Sequence, residues 1–164
     1  MPTIKATGRV LLVDDDKIAR RVAQQFLEDR LVGVEVVTAT DAPGALQLLE
    51  AQEFQAVVAD FRMPGMDGLE LLQAVRDRWP KAGRIMLTAS EDVHLAVHAL
   101  NEQLLDFYLL KPVRADEFAQ AVARCLLDVV RAEVQAELRK AEEKVVEEAM
   151  ALARSLRDEK ARSR

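Results

Sequence analysis

Polar and charged side chains that could carry chemistry lie at the ends of the short apolar runs in the first two thirds of the chain. These side chains are three carboxylates at the end of the first run, one at the end of the third, a hydroxyl at the end of the fourth and a lysine at the end of the fifth: Asp14, Asp15, Asp16, Asp60, Thr88 and Lys111. Functional groups gather beyond the carboxyl ends of strands in an open parallel sheet, so we expect this set at one edge. Each residue alone would more often be a turn former, a helix cap or a solvated lysine. Their occurrence at four strand ends indicates a functional site.

The residue types in this set predict a magnesium-dependent reaction. Closely packed carboxylates repel one another and stay ionised together only when a cation neutralises them. All-oxygen ligands suit Mg²⁺, which usually takes one or two carboxylates plus phosphate oxygens. An exposed aspartate beside that ion, here Asp60, can attack a phosphoryl group and form an acyl phosphate. Lys111 would share the charge of the transition state, and Thr88 could donate a hydrogen bond to the attached phosphoryl group.

The elements that would position these residues are five short apolar runs with helical patterns between them. The runs span residues 9–14, 34–38, 55–60, 84–88 and 105–110. They are near-continuous rather than alternating, which indicates strands covered on both faces. The intervening helices would bury faces led by Ile18, Val22, Phe26 and Leu27 in the first and by Val93, Val97 and Leu100 in the fourth. Five such repeats predict a parallel sheet with helices on both faces and right-handed crossovers.

Capping aspartates and a proline indicate where these helices begin and end. Asp16, Asp41 and Asp67 are expected to be N-caps, and Pro80 is expected to end the third helix.

Composition bounds the class of protein. The chain has 164 residues, half of them apolar and only 4% aromatic, which suits one globular domain with an aliphatic core plus an appendage. It contains no apolar run of membrane-spanning length and no signal-peptide pattern, so we expect a cytoplasmic protein without a membrane partner. The single cysteine, Cys125, excludes an internal disulfide and is expected to be a small buried residue. The net charge of −5, without a basic face, argues against direct nucleic-acid binding.

The last third of the chain predicts one uninterrupted helix. After Pro112 no proline or glycine occurs, and helix formers dominate. Apolar residues repeat every 11 positions, or about 3.67 residues per turn: Leu127, Val130, Val134, Leu138, Ala141, Val145, Ala149, Leu152 and Leu156. A stripe this narrow needs a partner helix. We therefore expect a globular domain over 1–127 and an extension over 128–164 that forms a parallel two-stranded coiled coil through 127–156. The alternative is a helix folded back on its own domain.

The strand-end residues, with their neighbours, resemble the receiver domain of bacterial response regulators, the chemotaxis-regulator-like family of two-component systems. The matching stretches are LLVDDD (11–16), VVADFRMPGMDGLELL (57–72), IMLTAS (85–90) and FYLLKPV (107–113). The resemblance covers residues 9 to about 127. It implies an α/β fold with a doubly wound five-stranded parallel sheet in the flavodoxin-like order 2-1-3-4-5.

The resemblance also implies a role for each matching residue. Asp60 would be the phosphoacceptor, and Asp14, Asp15 and the backbone carbonyl of Arg62 would complete the Mg²⁺ ligands. Lys111 would pair with the phosphoryl group, beside a cis bond to Pro112.

A second group of matching residues would transmit the phosphorylated state. Thr88 and Tyr108 resemble the switch pair, in which the hydroxyl moves to the phosphate and the ring turns inward. Ala89 fits the small residue that leaves the phosphoryl group accessible. By the same resemblance, Arg62 and Ser90 correspond to positions where family members vary and which influence the dephosphorylation rate in the family.

The function implied is signalling and not metabolic catalysis. A sensor histidine kinase or phosphotransfer protein would phosphorylate Asp60, the receiver would catalyse only its own phosphorylation and dephosphorylation, and a dimeric helix would carry the output. The alternative is the front part of a larger regulator whose cyclase, phosphatase or kinase domain lies beyond residue 164. A third reading is a Mg²⁺-dependent phosphohydrolase using Asp60, although the short loops leave no obvious substrate pocket. A DNA-binding output is disfavoured because no helix-turn-helix follows the receiver.

One further pair of residues could bind a metal. His94 and His98 are spaced i, i+4 on the predicted fourth helix, a chelating distance, but solvated histidines are the favoured interpretation because no third ligand lies nearby.

Overall fold

Five strands alternate with five α-helices in the computed structural model, which describes residues 2–164 apart from the side chain of Ser90. The strands are β1 (Ile4–Val13), β2 (Leu31–Ala39), β3 (Ala56–Asp60), β4 (Gly83–Thr88) and β5 (Phe107–Leu110). The helices are α1 (Lys17–Arg30), α2 (Ala42–Ala51), α3 (Gly68–Arg78), α4 (Val93–Asn101) and α5 (Ala115–Arg162), with a 3₁₀ turn at Ser90–Asp92.

The strands form one parallel sheet in the order β2-β1-β3-β4-β5, which confirms the predicted flavodoxin-like fold. Its central strands are buried on both faces, as their continuous apolar runs predicted. Leu11, Val57 and Met86 belong to the core on one face. Val10 and Val58 belong to the core on the other face, to which the first part of α5 contributes.

Three aspartates begin helices as predicted. Asp16 and Asp41 accept hydrogen bonds from backbone amides in the first turns of α1 and α2. Asp67 forms a capping box with Glu70 at the start of α3. The third helix ends at Arg78, just before Pro80, also as predicted. These caps fix where each helix starts relative to the strand before it.

The buried faces of α1 and α4 differ from the prediction. Ile18 is 77% exposed and Val22 is also exposed, because Leu27, with Ala23 and Phe26, forms the buried face of α1. At about 100° per residue, Ile18 lies on the other side of that helix from Leu27. In α4 the buried residues are the small Ala96 and Ala99, while Val97 and Leu100 are exposed.

The first two strands are longer than predicted. β1 begins at Ile4 and β2 begins at Leu31, directly after α1, so that Ile4 pairs with Leu31. The added pairing contains an irregularity between Lys5 and Gly8. A Cβ on Gly33 would lie 2.6 Å from a backbone oxygen of β1, and its φ is +93°, so glycine is needed there. The added part of β1 alternates between partly buried and exposed residues, a weaker signal than a continuous apolar run.

Helix α5 changes character along its length. Its first part buries Phe118, Val122, Cys125 and Leu126 against the sheet. Burial raises the pKa of the Cys125 thiol to about 12, which agrees with an inert core residue. The chain divides into two compact units, one ending at Val129 and a second spanning Val130–Arg164. Every described residue of the second unit is exposed, including its apolar stripe.

No helix in the part of the chain that the structure describes is long and apolar enough to cross a membrane.

Candidate functional site

Three predicted carboxylates meet at the carboxyl edge of the sheet. Asp14 directly follows β1, and Asp60 is the last residue of the neighbouring strand β3. One carboxylate oxygen from each of Asp14, Asp15 and Asp60 lies within 4.8 Å of the others. Asp14 is 2% exposed and Asp60 is 7% exposed, whereas Asp15 faces solvent. Asp60 is therefore less exposed than expected for an attacking group, and solvent reaches the cluster most readily at Asp15.

Backbone contacts fix Asp14 and turn Asp16 away from the cluster. A carboxylate oxygen of Asp14 accepts a hydrogen bond from the amide of Asp16 at 2.9 Å. The guanidinium of Arg20 donates to the carbonyl of Asp14 at 2.7 Å. The carboxylate of Asp16 instead accepts from the amides of Ile18 and Ala19, and these bonds lower its pKa. Asp16 is thus a helix cap, which leaves Asp14 and Asp15 for the site.

Lys111 reaches the cluster from the end of β5. Its Nζ lies 2.5 Å from Oδ1 of Asp60 and 3.7 Å from Oδ2 of Asp14. Its backbone amide donates to the carbonyl of Thr88 at 2.8 Å, and the bond to Pro112 is cis, as the resemblance implied. Burial raises the pKa of Asp60, and the hydrogen bond from Lys111 opposes that rise. The lysine therefore stabilises the ionised form of the buried carboxylate.

The glycine that begins α3 allows the helix to start directly against Asp60. The amide of Gly68 donates to the carbonyl of Phe61 at 2.8 Å. A Cβ at Gly68 would lie 2.1 Å from the backbone oxygen of Asp60, closer than any side chain could be placed. The sequence shows a glycine after the Asp67 cap, but not the neighbouring backbone that makes it necessary.

The two expected switch residues, Thr88 and Tyr108, lie on the same face of the sheet. Thr88 ends β4 and is fully buried, and its hydroxyl donates to the carbonyl of Ala89 at 3.3 Å. Tyr108 is half-buried and packs against the core on the face that contains Met86. The side chain of Ser90 lies outside the described part of the structure, so the expectation for that residue is not addressed.

One ion pair near the site was not predicted from the sequence. The guanidinium of Arg62, two residues after Asp60, donates two hydrogen bonds of 2.7 Å to the carboxylate of Asp92. Asp92 is 5% exposed and lies just before α4. The partners are 30 positions apart, and no local pattern in the sequence relates them.

The donor set fits a divalent cation. Three carboxylates and one lysine ammonium leave an excess of two negative charges in a small volume. Carboxylate and carbonyl oxygens are the ligands that Mg²⁺ prefers. Among the described residues, Asp14, Asp15 and Asp60 form the one such group of potential metal ligands. His94 and His98 lie exposed on α4, outside this group, as expected for solvated histidines.

Comparison with known proteins identifies the family. A model of the response regulator receiver domain matches residues 10–123. The response regulator protein FleR of Pseudomonas aeruginosa is 38% identical over 117 residues, which are 71% of this chain and 24% of FleR. The DNA-binding transcriptional regulator NtrC of Escherichia coli is 38% identical over 121 residues, which are 73% of this chain and 25% of NtrC.

Solved structures agree with the sequence relatives. A crystal structure described as an adenylate cyclase from Rhodopirellula baltica superposes with a TM-score of 0.76 at 30% identity, covering 82% of this chain and 98% of that one. This chain spans about a quarter of the length of the curated relatives that it matches. The matched residues include every strand-end group described above, and the chain belongs to the response regulator receiver domain family.

Proposed function

We propose that this chain is a response regulator that accepts a phosphoryl group on Asp60. The observation that carries the proposal is that Lys111 contacts Asp60, which belongs to a cluster of three carboxylates with Asp14 and Asp15. Receiver domains are phosphorylated by histidine kinases or phosphotransfer proteins, so a phosphohistidine is the expected donor. The catalysis assigned to this chain is limited to its own phosphorylation and dephosphorylation.

Each residue of the site would have a separate role in the phosphoryl transfer. An oxygen of Asp60 bonds to phosphorus while the bond from phosphorus to the donor breaks, and that electron pair leaves with the donor. Asp14, Asp15, Asp60 and the backbone carbonyl of Arg62 would hold Mg²⁺, which supplies positive charge for the phosphoryl oxygens. Lys111 adds a second positive charge from the protein itself.

Transmission of the phosphorylated state would begin at Thr88. Its hydroxyl would leave the carbonyl of Ala89 for an oxygen of the new phosphoryl group, and the half-buried ring of Tyr108 would turn inward. Water would later hydrolyse the acyl phosphate and restore the starting contacts.

The output is assigned to the extension over 128–164, which follows the receiver domain over 1–127. Its stripe is exposed in the single chain, with Val134 54% and Val145 63% accessible, so a partner helix would remove a continuous apolar surface from water. A parallel homodimer through residues 127–156 is the assembly that we propose, since two-fold dimers are the commonest and a parallel pair would place both receivers at one end. Phosphorylation would change how two receivers pack and thereby alter the register of the helix pair.

The second candidate function is that this chain forms the N-terminal part of a larger regulator. The curated relatives are about four times as long as the segment that this chain matches, and one structural neighbour is described as an adenylate cyclase. In that case α5 would transmit the state of Asp60 to a cyclase, phosphatase or kinase domain. The discriminating observation is whether the reading frame continues past Arg164.

Labelling with acetyl phosphate tests the proposal. The wild-type chain is expected to take up one phosphoryl group when Mg²⁺ is present and little without it. Hydroxylamine should remove the label, because it cleaves acyl phosphates. Absence of a hydroxylamine-sensitive label in the presence of Mg²⁺ would refute the proposal. Rapid turnover of a generic phosphate ester would indicate a phosphohydrolase instead.

The ligand assignment gives a separate prediction. Asp15→Ala should weaken Mg²⁺ binding by about tenfold or more, while the fold stays intact or gains stability because one of three repelling carboxylates is gone. Calorimetric titration with Mg²⁺ measures the affinity. Asp16→Asn is the matched control, because asparagine also caps helices and the change removes a neighbouring charge but no proposed ligand. Equal Mg²⁺ affinity in Asp15→Ala and the wild type would rule out the ligand set.

A further inference from the structure

The pair formed by Arg62 and Asp92 joins the segment after β3 to the start of α4. Two parallel hydrogen bonds of 2.7 Å connect the planar guanidinium to the planar carboxylate, a geometry that adds both strength and direction. Asp92 is buried although the side chain of Arg62 is 65% exposed. A buried carboxylate needs a partner, so the guanidinium is what keeps Asp92 ionised in this position. The same hydrogen bonds hold the pKa of Asp92 below its ordinary value.

Asp92 differs from the other aspartates that precede helices. Asp16, Asp41 and Asp67 all accept hydrogen bonds from backbone amides of the helix that follows. Asp92 ends the 3₁₀ turn that leads into α4 and makes no such bond; both of its oxygens contact Arg62 instead. The first amides of α4 therefore lack the cap that an aspartate at this position usually supplies. The carboxylate of Asp92 therefore has two possible partners, the guanidinium of Arg62 and the first amides of α4, and it contacts only the guanidinium.

The start of α4 is also tied to the switch hydroxyl. The carbonyl oxygen of Ala89 accepts the hydroxyl of Thr88 at 3.3 Å and the backbone amide of Asp92 at 3.1 Å. A movement of the Thr88 hydroxyl toward a phosphoryl group removes one of these two donors. The shared acceptor therefore connects any such movement to the backbone of Asp92.

From these contacts we infer that Arg62 and Asp92 form a latch, in which Asp92 exchanges the guanidinium of Arg62 for the amides of α4 when Asp60 is phosphorylated. Arg62 and Asp92 are positioning residues in this scheme, since neither side chain touches the reacting atoms. The closed latch stabilises the unphosphorylated arrangement and so opposes phosphorylation. The inference rests on the proposed function, because it requires an acceptor at Asp60.

Opening the latch by mutation should speed phosphorylation. Asp92→Asn removes the ion pair but keeps a side chain that caps helices as well as aspartate does. Arg62→Gln removes the other partner at an exposed position. Each variant is expected to be labelled by acetyl phosphate about fivefold faster than the wild type, the lower end of usual coupling between two sites. Asp92→Asn should leave the Mg²⁺ affinity unchanged, because Asp92 is not among the proposed ligands.

A double-mutant cycle distinguishes the latch from two unrelated effects. The variant carrying both substitutions should be labelled no faster than either single variant, since the pair can be broken only once. Asp77→Asn is the matched control, because it breaks an exposed 3.0 Å ion pair with Arg76 on α3. Its labelling rate should equal that of the wild type.

The outcomes separate the latch from the proposed function. Unchanged labelling rates in both single variants, or rate increases that multiply in the double variant, would overturn the latch while the wild type is still labelled. A wild type that takes no label would instead refute the function on which the latch rests. If Asp92→Asn fails to fold, Arg62→Gln alone decides, because its side chain is exposed and an unchanged rate there overturns the latch.

Discussion

Replacing Asp60 with asparagine is expected to reduce labelling by acetyl phosphate to background, the largest effect predicted for any substitution in this chain. Asparagine has nearly the same shape but a much weaker nucleophile, so no acyl phosphate can form. The fold should persist, because the change removes a buried carboxylate that lies close to Asp14 and Asp15. Labelling is followed by radioactivity or intact mass, and folding by circular dichroism.

The control for this substitution lies at the same edge of the sheet. Asp41 follows β2 and caps α2 through a hydrogen bond from Gly44, and asparagine can make the same bond. Asp41→Asn should therefore be labelled like the wild type. If Asp60→Asn is folded and still takes a normal amount of label, the acceptor has been misplaced.

Replacing Val134 and Val145 with glutamate is expected to give a folded monomer that is still phosphorylated. Both side chains are exposed in the single chain and lie on the proposed dimer seam. A dimer would bury two carboxylates from each helix, a cost of several kcal/mol per ion, and each 1.4 kcal/mol raises the dissociation constant about tenfold. Sedimentation velocity at several concentrations measures the change in mass.

The control adds the same charges to the opposite face of the helix. Ala132→Glu with Ala136→Glu should leave the protein dimeric, because at about 100° per residue both positions lie far from the stripe. A wild-type protein that is monomeric at high concentration would contradict the coiled-coil proposal. So would a crystal structure in which the two helices run antiparallel.

Much of the fold follows from patterns that are local in sequence. Continuous apolar runs such as 55–60 and 84–88 are typical of strands buried on both faces, and the bounds of β3 and β4 differ from these runs by one residue each. Aspartates placed before apolar helical patterns predicted the caps of α1, α2 and α3. Because parallel strands all end at one edge, the positions of Asp14, Asp60 and Lys111 also predicted which side chains would meet.

The buried faces of the helices and the ends of the strands depend on which distant parts of the chain each residue contacts. Ile18 and Val22 were expected inside because they are apolar, but the neighbouring sheet contacts the Leu27 face of α1. In α4 the small side chains of Ala96 and Ala99 pack inward, which a search for large apolar residues overlooks. The added pairing at Ile4 needs a partner strand that only the folded chain supplies.

The site shows the same division between local and distant information. Strand ends revealed the carboxylates and the lysine, but the requirement for Gly68 arises from the backbone of Asp60 beside it. The pair of Arg62 with Asp92 joins residues from two different loops. Their opposite charges favour a pair, but nothing in the sequence indicates which of the many charged residues would form it.

The position of the phosphoryl group in the wild-type chain tests the central claim most directly. Borohydride reduces an aspartyl phosphate to homoserine, and mass spectrometry of peptides then reports which aspartate carried it. After treatment with acetyl phosphate and Mg²⁺, homoserine should appear at position 60 and at no other acidic residue. Homoserine at position 14 or 15 instead, or none at position 60 in a labelled sample, would contradict the account.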